Sequence, residues 1–139
     1  MLGGIRMTSQ HVTEAEPTLN QLIQSIEEGL PISAFKKLQD SLDLPDKDLA
    51  KYVRIPKSTL ALRKKRGKFS FEESERLLRL QRLFEKALDV FKSAELAKKW
   101  LKEDAYGLGD IPPLEYAATE IGGREVEDLL GRIEHGVFS

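Results

Sequence analysis

Apolar positions along the chain recur at helical spacing, and no stretch alternates as a half-buried strand would. Residues 1–17 show no periodicity and carry Gly3, Gly4, Thr8, Ser9 and Pro17, which predicts a mobile N-terminal tail. From Thr18 onward, Leu19, Leu22, Ile23 and Ile26 follow i, i+3, i+4, i+7, which predicts a helix with one buried face. Gly29 and Pro31 stop it. Ile32, Phe35, Leu38 and Leu42 give a second face, closed by Leu44-Pro45. Asp46 stands where an N-cap belongs, ahead of a short helix bearing Leu49, Ala50 and Val53. Pro56 opens the next helix, which runs to about Lys65 with Leu60 inward, and Gly67 breaks it.

The sharpest start in the chain is Ser70-Phe71-Glu72-Glu73, a capping box in which Ser70 bonds forward and Glu73 bonds back. Behind it Leu77, Leu80, Phe84, Ala87, Leu88 and Phe91 predict a helix of about twenty residues. Ser93 caps a shorter one through Trp100 and Leu101. Gly107-Leu108-Gly109-Asp110 and Pro112-Pro113 read as a loop, and Pro113 to Glu120 as a short helix ended by Gly122-Gly123. Val126, Leu129, Leu130 and Ile133 form the face of a last helix that ends near Gly136. The fold class predicted is all-α.

Composition narrows this picture. A chain of 139 residues that is 40% hydrophobic and 32% charged suits one globular domain or two small helical units sharing a core. It has no run of about 18 apolar residues, so no membrane helix is expected, nor a secretory signal. The absence of cysteine excludes a disulfide framework and favours a reducing cytoplasm.

The net charge of −1 conceals a division. Lys51 to Lys68 holds eight Lys/Arg and no Asp/Glu, whereas Glu103 to the end holds nine Asp/Glu against Arg124 and Arg132, a balance of −7. Such asymmetry implies two different partners.

The basic block coincides with a helix-turn-helix template from Asp46 to Lys65. Ala50 is small where the two helices cross, Val53 and Ile55 flank the turn, and Leu60 pins the second helix. Lys57, Ser58 and Thr59 are then the first-turn residues that meet base edges. Arg63, Lys64, Lys65, Arg66 and Lys68 trail behind to meet phosphate oxygens of a double-stranded operator. The alternative is a packed helix pair with a merely basic surface. Arg54 occupies the turn position that favours glycine, at a cost of about 1 kcal/mol. One unit with roughly four to six phosphate contacts binds weakly, so a homodimer on a symmetric, salt-sensitive site is expected.

The acidic half offers no catalyst. The two histidines, His11 and His135, have no metal-ligand spacing, and neither a nucleophile–base pair nor a phosphate loop is present, so no cofactor and no enzyme activity are expected. Glu125, Glu127 and Asp128 read as acids favouring a helix N-terminus at Gly122-Gly123. His135 and Gly136 read as an ordinary helix end. The ending Gly136-Val137-Phe138-Ser139 carries an apolar pair and a terminal carboxylate, a narrow probe that packs on its own domain or enters a partner's cleft.

The run Arg124-Glu125-Val126-Glu127-Asp128-Leu129-Leu130-Gly131-Arg132-Ile133-Glu134-His135-Gly136-Val137 resembles the C-terminal signature of Xre/MbcA/ParS-type antitoxins. Trp100-Leu101, Pro113-Leu114, and Ser74, Arg76, Leu77 and Arg79 are similar to other fixed points of that family, so the resemblance spans about residues 30–139. It implies an Xre-like DNA-binding half (18–84) followed by a small helical toxin-binding half (85–139). It also implies a RES-domain toxin that destroys NAD, covered at its active site by the antitoxin's C-terminal end, with the other half repressing their shared operon. The toxin contacts it implies are Arg124, Glu125, Glu127, Asp128, Arg132, Glu134, His135, Gly136, Val137, Phe138 and Ser139. The competing expectation is a stand-alone repressor whose C-terminal half only dimerises.

Overall fold

The computed structural model describes residues 16–136. Those residues form eight α-helices: α1 (Leu19–Glu28), α2 (Ile32–Leu42), α3 (Asp46–Tyr52), α4 (Lys57–Arg66), α5 (Phe71–Phe91), α6 (Ala94–Lys102), α7 (Pro113–Tyr116) and α8 (Glu120–Glu134). A single 3-10 turn, Tyr106–Leu108, lies between α6 and α7. The described residues contain no strand, only two isolated bridges, so the chain is all-α as expected. None of these helices is long and apolar enough to cross a membrane. Apart from Glu16 and Pro17, the expected N-terminal tail lies outside the described residues, as does His11.

The central element is α5. Its 21 residues give a rod of about 31 Å. Ser70 starts it: the Ser70 hydroxyl accepts from the Glu73 amide at 3.2 Å, and the Glu73 carboxylate accepts from the Ser70 amide at 2.8 Å. Its apolar face, Leu77, Leu80, Leu83, Phe84 and Ala87, is buried. Leu88, expected among them, is exposed. Around this rod pack α1, α2, α6 and α8. One hydrophobic cluster runs from Phe35 and Leu38 of α2, through α5, to Val126 and Leu130 of α8. The two halves of the chain therefore share a core and a helix.

Three local readings need correction. The periodicity of α1 is real, but none of its residues is buried. Leu19 is 70% and Ile23 46% exposed, and Leu22 and Ile26 are only half-covered. Asp46 is not the cap of α3 but its first residue, with Pro45 at the cap. Its carboxylate instead accepts from Gln39 Nε2 at 2.7 Å and pairs with Lys64.

Gly122-Gly123, expected to end a short helix, sit in the first turn of α8, which Thr119 caps by accepting from the Gly122 amide at 3.1 Å. Both glycines are buried for a steric reason. A Cβ on Gly122 would stand 1.8 Å from the Tyr116 carbonyl oxygen, and one on Gly123 2.9 Å from Arg79 Cδ.

Candidate functional site

The basic face is built on α3, a turn and α4. Leu49 and Ala50 of α3, Val53 and Ile55 of the turn, and Leu60 of α4 are all buried, which locks the two helices together. Arg54 takes φ 56, the left-handed conformation expected at this turn, although it is not glycine. The turn is braced from α5. Arg76 Nε donates to the Val53 carbonyl at 2.6 Å, satisfying an acceptor that the end of α3 leaves open. This bracing leaves Lys57 and Ser58 exposed on the first turn of α4, with Thr59 half-buried beside them.

The charges trailing along α4 are not equally free. Arg63, expected to face phosphate, instead grips Glu73 with two bonds, Nε to Oε1 at 2.8 Å and Nη2 to Oε2 at 3.1 Å. Its side chain is 20% exposed and that of Glu73 8%. Burial pushes the Glu73 carboxyl up, but the Arg63 guanidinium and the Ser70 amide outweigh it and hold the group below the ordinary glutamate range. Arg63 is thus a strut between α4 and α5. Lys64 is shared with Asp46, whose carboxyl it holds low. Lys57, Lys65, Arg66 and Lys68 remain exposed and make no ion pair with the described residues. The run of eight cations therefore presents fewer to a phosphate backbone than its count suggests.

The second face is the outer side of α8. Val126 and Leu130 are buried, which turns Arg124, Glu125, Glu127, Asp128, Arg132, Glu134 and His135 outward, all exposed. Because α8 begins at Glu120, only that acid lies in the first turn. Glu125, Glu127 and Asp128 are farther along and do not serve the helix N-terminus as expected. Internal partners are few: Arg124 meets Glu120 at 3.3 Å, and Lys86 approaches Glu134 at 4.0 Å, pairs worth little in water. A shallow hollow of about 460 Å³, lined by Lys86, Glu127, Asp128, Gly131, Arg132 and His135, indents this surface. The helix closes with His135 at the cap and Gly136 at φ 70, as its sequence implies. Val137, Phe138 and Ser139 lie outside the described residues. No group of three or more His, Asp or Glu stands where it would hold a metal ion among the described residues.

The polar points flagged by resemblance turn out to hold the faces in place. Ser74, fully buried, accepts from the Leu30 amide at 2.8 Å and anchors the start of α2. Farther along α5, Arg79 donates from Nη1 to the Ala117 and Ala118 carbonyls at 3.2 and 3.1 Å, tying the end of α7 to the rod. Burial lowers the Arg79 pKa. The first half of α5 thus fixes the basic face through Glu73 and Arg76 and the entry to α2 through Ser74, and Arg79 fixes the approach to α8. Sequence reasoning did not assign these roles. The acid of the capping box, ten residues after Arg63, was the one available hint of the strut.

Comparison with known proteins agrees with this division. The model of the Antitoxin Xre-like helix-turn-helix domain matches residues 21–82, and that of the Antitoxin Xre/MbcA/ParS C-terminal toxin-binding domain matches residues 86–136. The chain is 34% identical over 125 residues to Antitoxin Xre of Photorhabdus laumondii, covering 88% of this chain and 82% of that one. It is 35% identical over 120 residues to Antitoxin Xre of Yersinia enterocolitica, covering 85% and 81%. A Pseudomonas putida Antitoxin Xre matches at 32% over 83 residues, 59% of this chain and 52% of that one. A basic helix-turn-helix face and an outward charged helix, joined by one rod and matched over most of their length, place this chain in the Xre antitoxin family.

Proposed function

We propose that this antitoxin silences a RES-domain, NAD-degrading toxin by laying the outer strip of α8, and the segment Val137-Phe138-Ser139 that follows it in sequence, over the toxin's active site. The observation that carries the reading is the strip itself. It is a helix face of exposed charges, nearly all without a role in the fold, inside the stretch matched by the toxin-binding family model. Buried function-free charge is costly, whereas exposed unpaired charge at this density is suited to steering and registering a partner. A site that consumes NAD must hold a pyrophosphate and therefore presents cations. Glu125, Glu127 and Asp128 offer anions to that field.

The same reading gives the helix-turn-helix half, residues 18–84, the task of repressing the shared operon, and residues 85–139 that of binding toxin. Lys57, Ser58 and Thr59 face base edges, and Lys65, Arg66 and Lys68, with Lys64 in part, face phosphates. With so few free cations per chain, a homodimer supplies the affinity an operator needs. The exposed Leu19 and Ile23 of α1 are apolar surface that a second copy can cover.

The test is NAD consumption by the cognate toxin, measured with the full chain and with a chain ending at Gly136. The full chain is expected to abolish turnover, and the shortened one to bind toxin yet leave much of its activity. Equal inhibition by both removes the terminal segment from the mechanism. Failure of the full chain to bind or inhibit the toxin removes the whole reading.

A further inference from the structure

The loop between α6 and α7 is built more tightly than its composition suggests. The Ala105 amide donates to the Ile111 carbonyl at 3.1 Å, and the Leu108 and Asp110 amides donate back to the Ala105 carbonyl at 3.0 and 3.1 Å. Gly109 and Asp110 both take left-handed conformations, at φ 72 and 62, to complete the closure. Leu108 is buried beneath it, at 3% exposure. Gly107 lies against α8: a Cβ there would stand 3.6 Å from Leu129 Cδ2. From this pinned loop Tyr106 projects into water at 95% exposure, the most exposed large apolar side chain among the described residues.

On α8, Glu125, Arg132 and Ile121 lie about 40°, 60° and 80° round the helix from Leu129, all on the side of the outward charged strip. Ile121 is 76% exposed and stands about 12 Å along the axis from Leu129. The charged strip and the loop beside it therefore present one large, mostly exposed apolar side chain each. Neither belongs to the buried core of the described residues.

An isolated exposed apolar residue needs no explanation. These two differ in their setting. Tyr106 is an aromatic side chain on a closed, core-anchored loop, so little conformational entropy is lost when it is gripped. Interfaces concentrate binding energy in such pre-organised aromatic anchors, with charged groups around them setting register.

We propose that Tyr106 and Ile121 are the apolar anchors of the toxin interface, each entering an apolar recess on the enzyme while Glu125 and Arg132 fix the register beside them. The proposal rests on the toxin-binding reading of α8. Continuity with that strip, inside residues 86–136, identifies the occupant as the toxin and not a second copy of this chain.

The experiment compares wild type with Tyr106→Ser, Ile121→Ser, the double variant, and Tyr106→Phe, measuring affinity for the purified toxin alongside thermal melting. Both positions are solvent-exposed, so melting should be unchanged. Each serine variant is expected to weaken toxin binding about tenfold and the double variant about a hundredfold, while Tyr106→Phe retains binding. Leu62→Ser, at an exposed apolar position of the DNA-reading half, serves as a control and should bind toxin as wild type does. Wild-type capture with undiminished capture by the double variant overturns the anchors alone. A wild-type chain that does not capture toxin overturns the underlying reading as well.

Discussion

Gly122→Ala is expected to lower the melting temperature by about 10 °C and to abolish toxin neutralisation, the largest effect of any single methyl group in the C-terminal half. The added Cβ would stand 1.8 Å from the Tyr116 carbonyl oxygen and 2.9 Å from its carbon. The obstacle is backbone, so it cannot rotate away as a side-chain tip would. The first turn of α8 must shift by more than an ångström, which breaks the Thr119 cap and disturbs the Ala117 and Ala118 carbonyls held by Arg79. Overpacking of this kind costs about 3 kcal/mol, and in a chain of this size each kcal/mol moves the transition by about 3–4 °C. Gly123→Ala is the informative comparison. Its nearest neighbour is Arg79 Cδ at 2.9 Å, a side-chain atom that can slide, so a smaller loss is expected. Paired melting curves check both. Equal melting of Gly122→Ala and wild type would contradict the close packing of α7 on α8.

The second large effect belongs to Glu73. Its carboxylate accepts two bonds from Arg63 and one from the Ser70 amide while nearly buried. Glu73→Ala removes the acid of a capping box and leaves the amide and the guanidinium without their acceptor. A loss of about 2–3 kcal/mol is expected. Operator affinity should fall with it, since the strut that holds α4 against α5 is gone.

The acid dependence follows with a definite sign. The folded pKa of Glu73 lies below its unfolded value, so its contribution is complete above the ordinary glutamate range and is lost as pH falls through the lowered folded value. The stability gap between wild type and Glu73→Ala should therefore be widest near neutrality and narrow steadily below about pH 4. Melts of both proteins from pH 7 to pH 3 measure it. A gap that stays constant or widens in acid would contradict the ion-pair account.

Both effects turn on residues whose meaning in the sequence was partly legible. The Ser70–Glu73 box announced the start of α5, and the structure shows it in full. The same carboxylate also braces α4, and nothing in a one-dimensional pattern separates a lysine-rich solvated face from one that has a cation turned inward. Arg63 and Lys65 look alike until Glu73 is seen beside one of them. Glycine carries a similar ambiguity. Gly67 and Gly136 end helices through positive φ, as their positions implied, whereas Gly122 and Gly123 are helical and small because another element passes close by. Local propensity suggests a stop for all four, and only packing tells them apart.

The face of α1 shows a different limit. Periodicity establishes that Leu19, Leu22, Ile23 and Ile26 lie on one side, and the helix forms there with Thr18 as its cap. Whether that side is covered depends on what the rest of the chain can reach, and α5 covers only part of it. Arg54 was the reverse case. A residue with a side chain at a glycine-favouring turn still adopts φ 56, because Val53 and Ile55 on either side are buried and Arg76 holds the Val53 carbonyl. The helix-turn-helix was thus readable from the spacing of its core residues taken together with the basic block that coincides with it. The outer face of α8 proposed for the toxin was not readable from spacing: residues assigned to the helix dipole were released from that role by a start two residues ahead of Gly122.

The central claim is that the outward charges of α8 hold the toxin in its silenced state. The most direct measurement is a titration of toxin NAD consumption with a chain carrying Glu125→Gln, Glu127→Gln and Asp128→Asn, three exposed positions outside the core. The variant should melt as wild type does, keep its operator affinity, and leave NAD consumption running at antitoxin concentrations where wild type stops it. Full inhibition by that variant at the wild-type concentration would contradict the account.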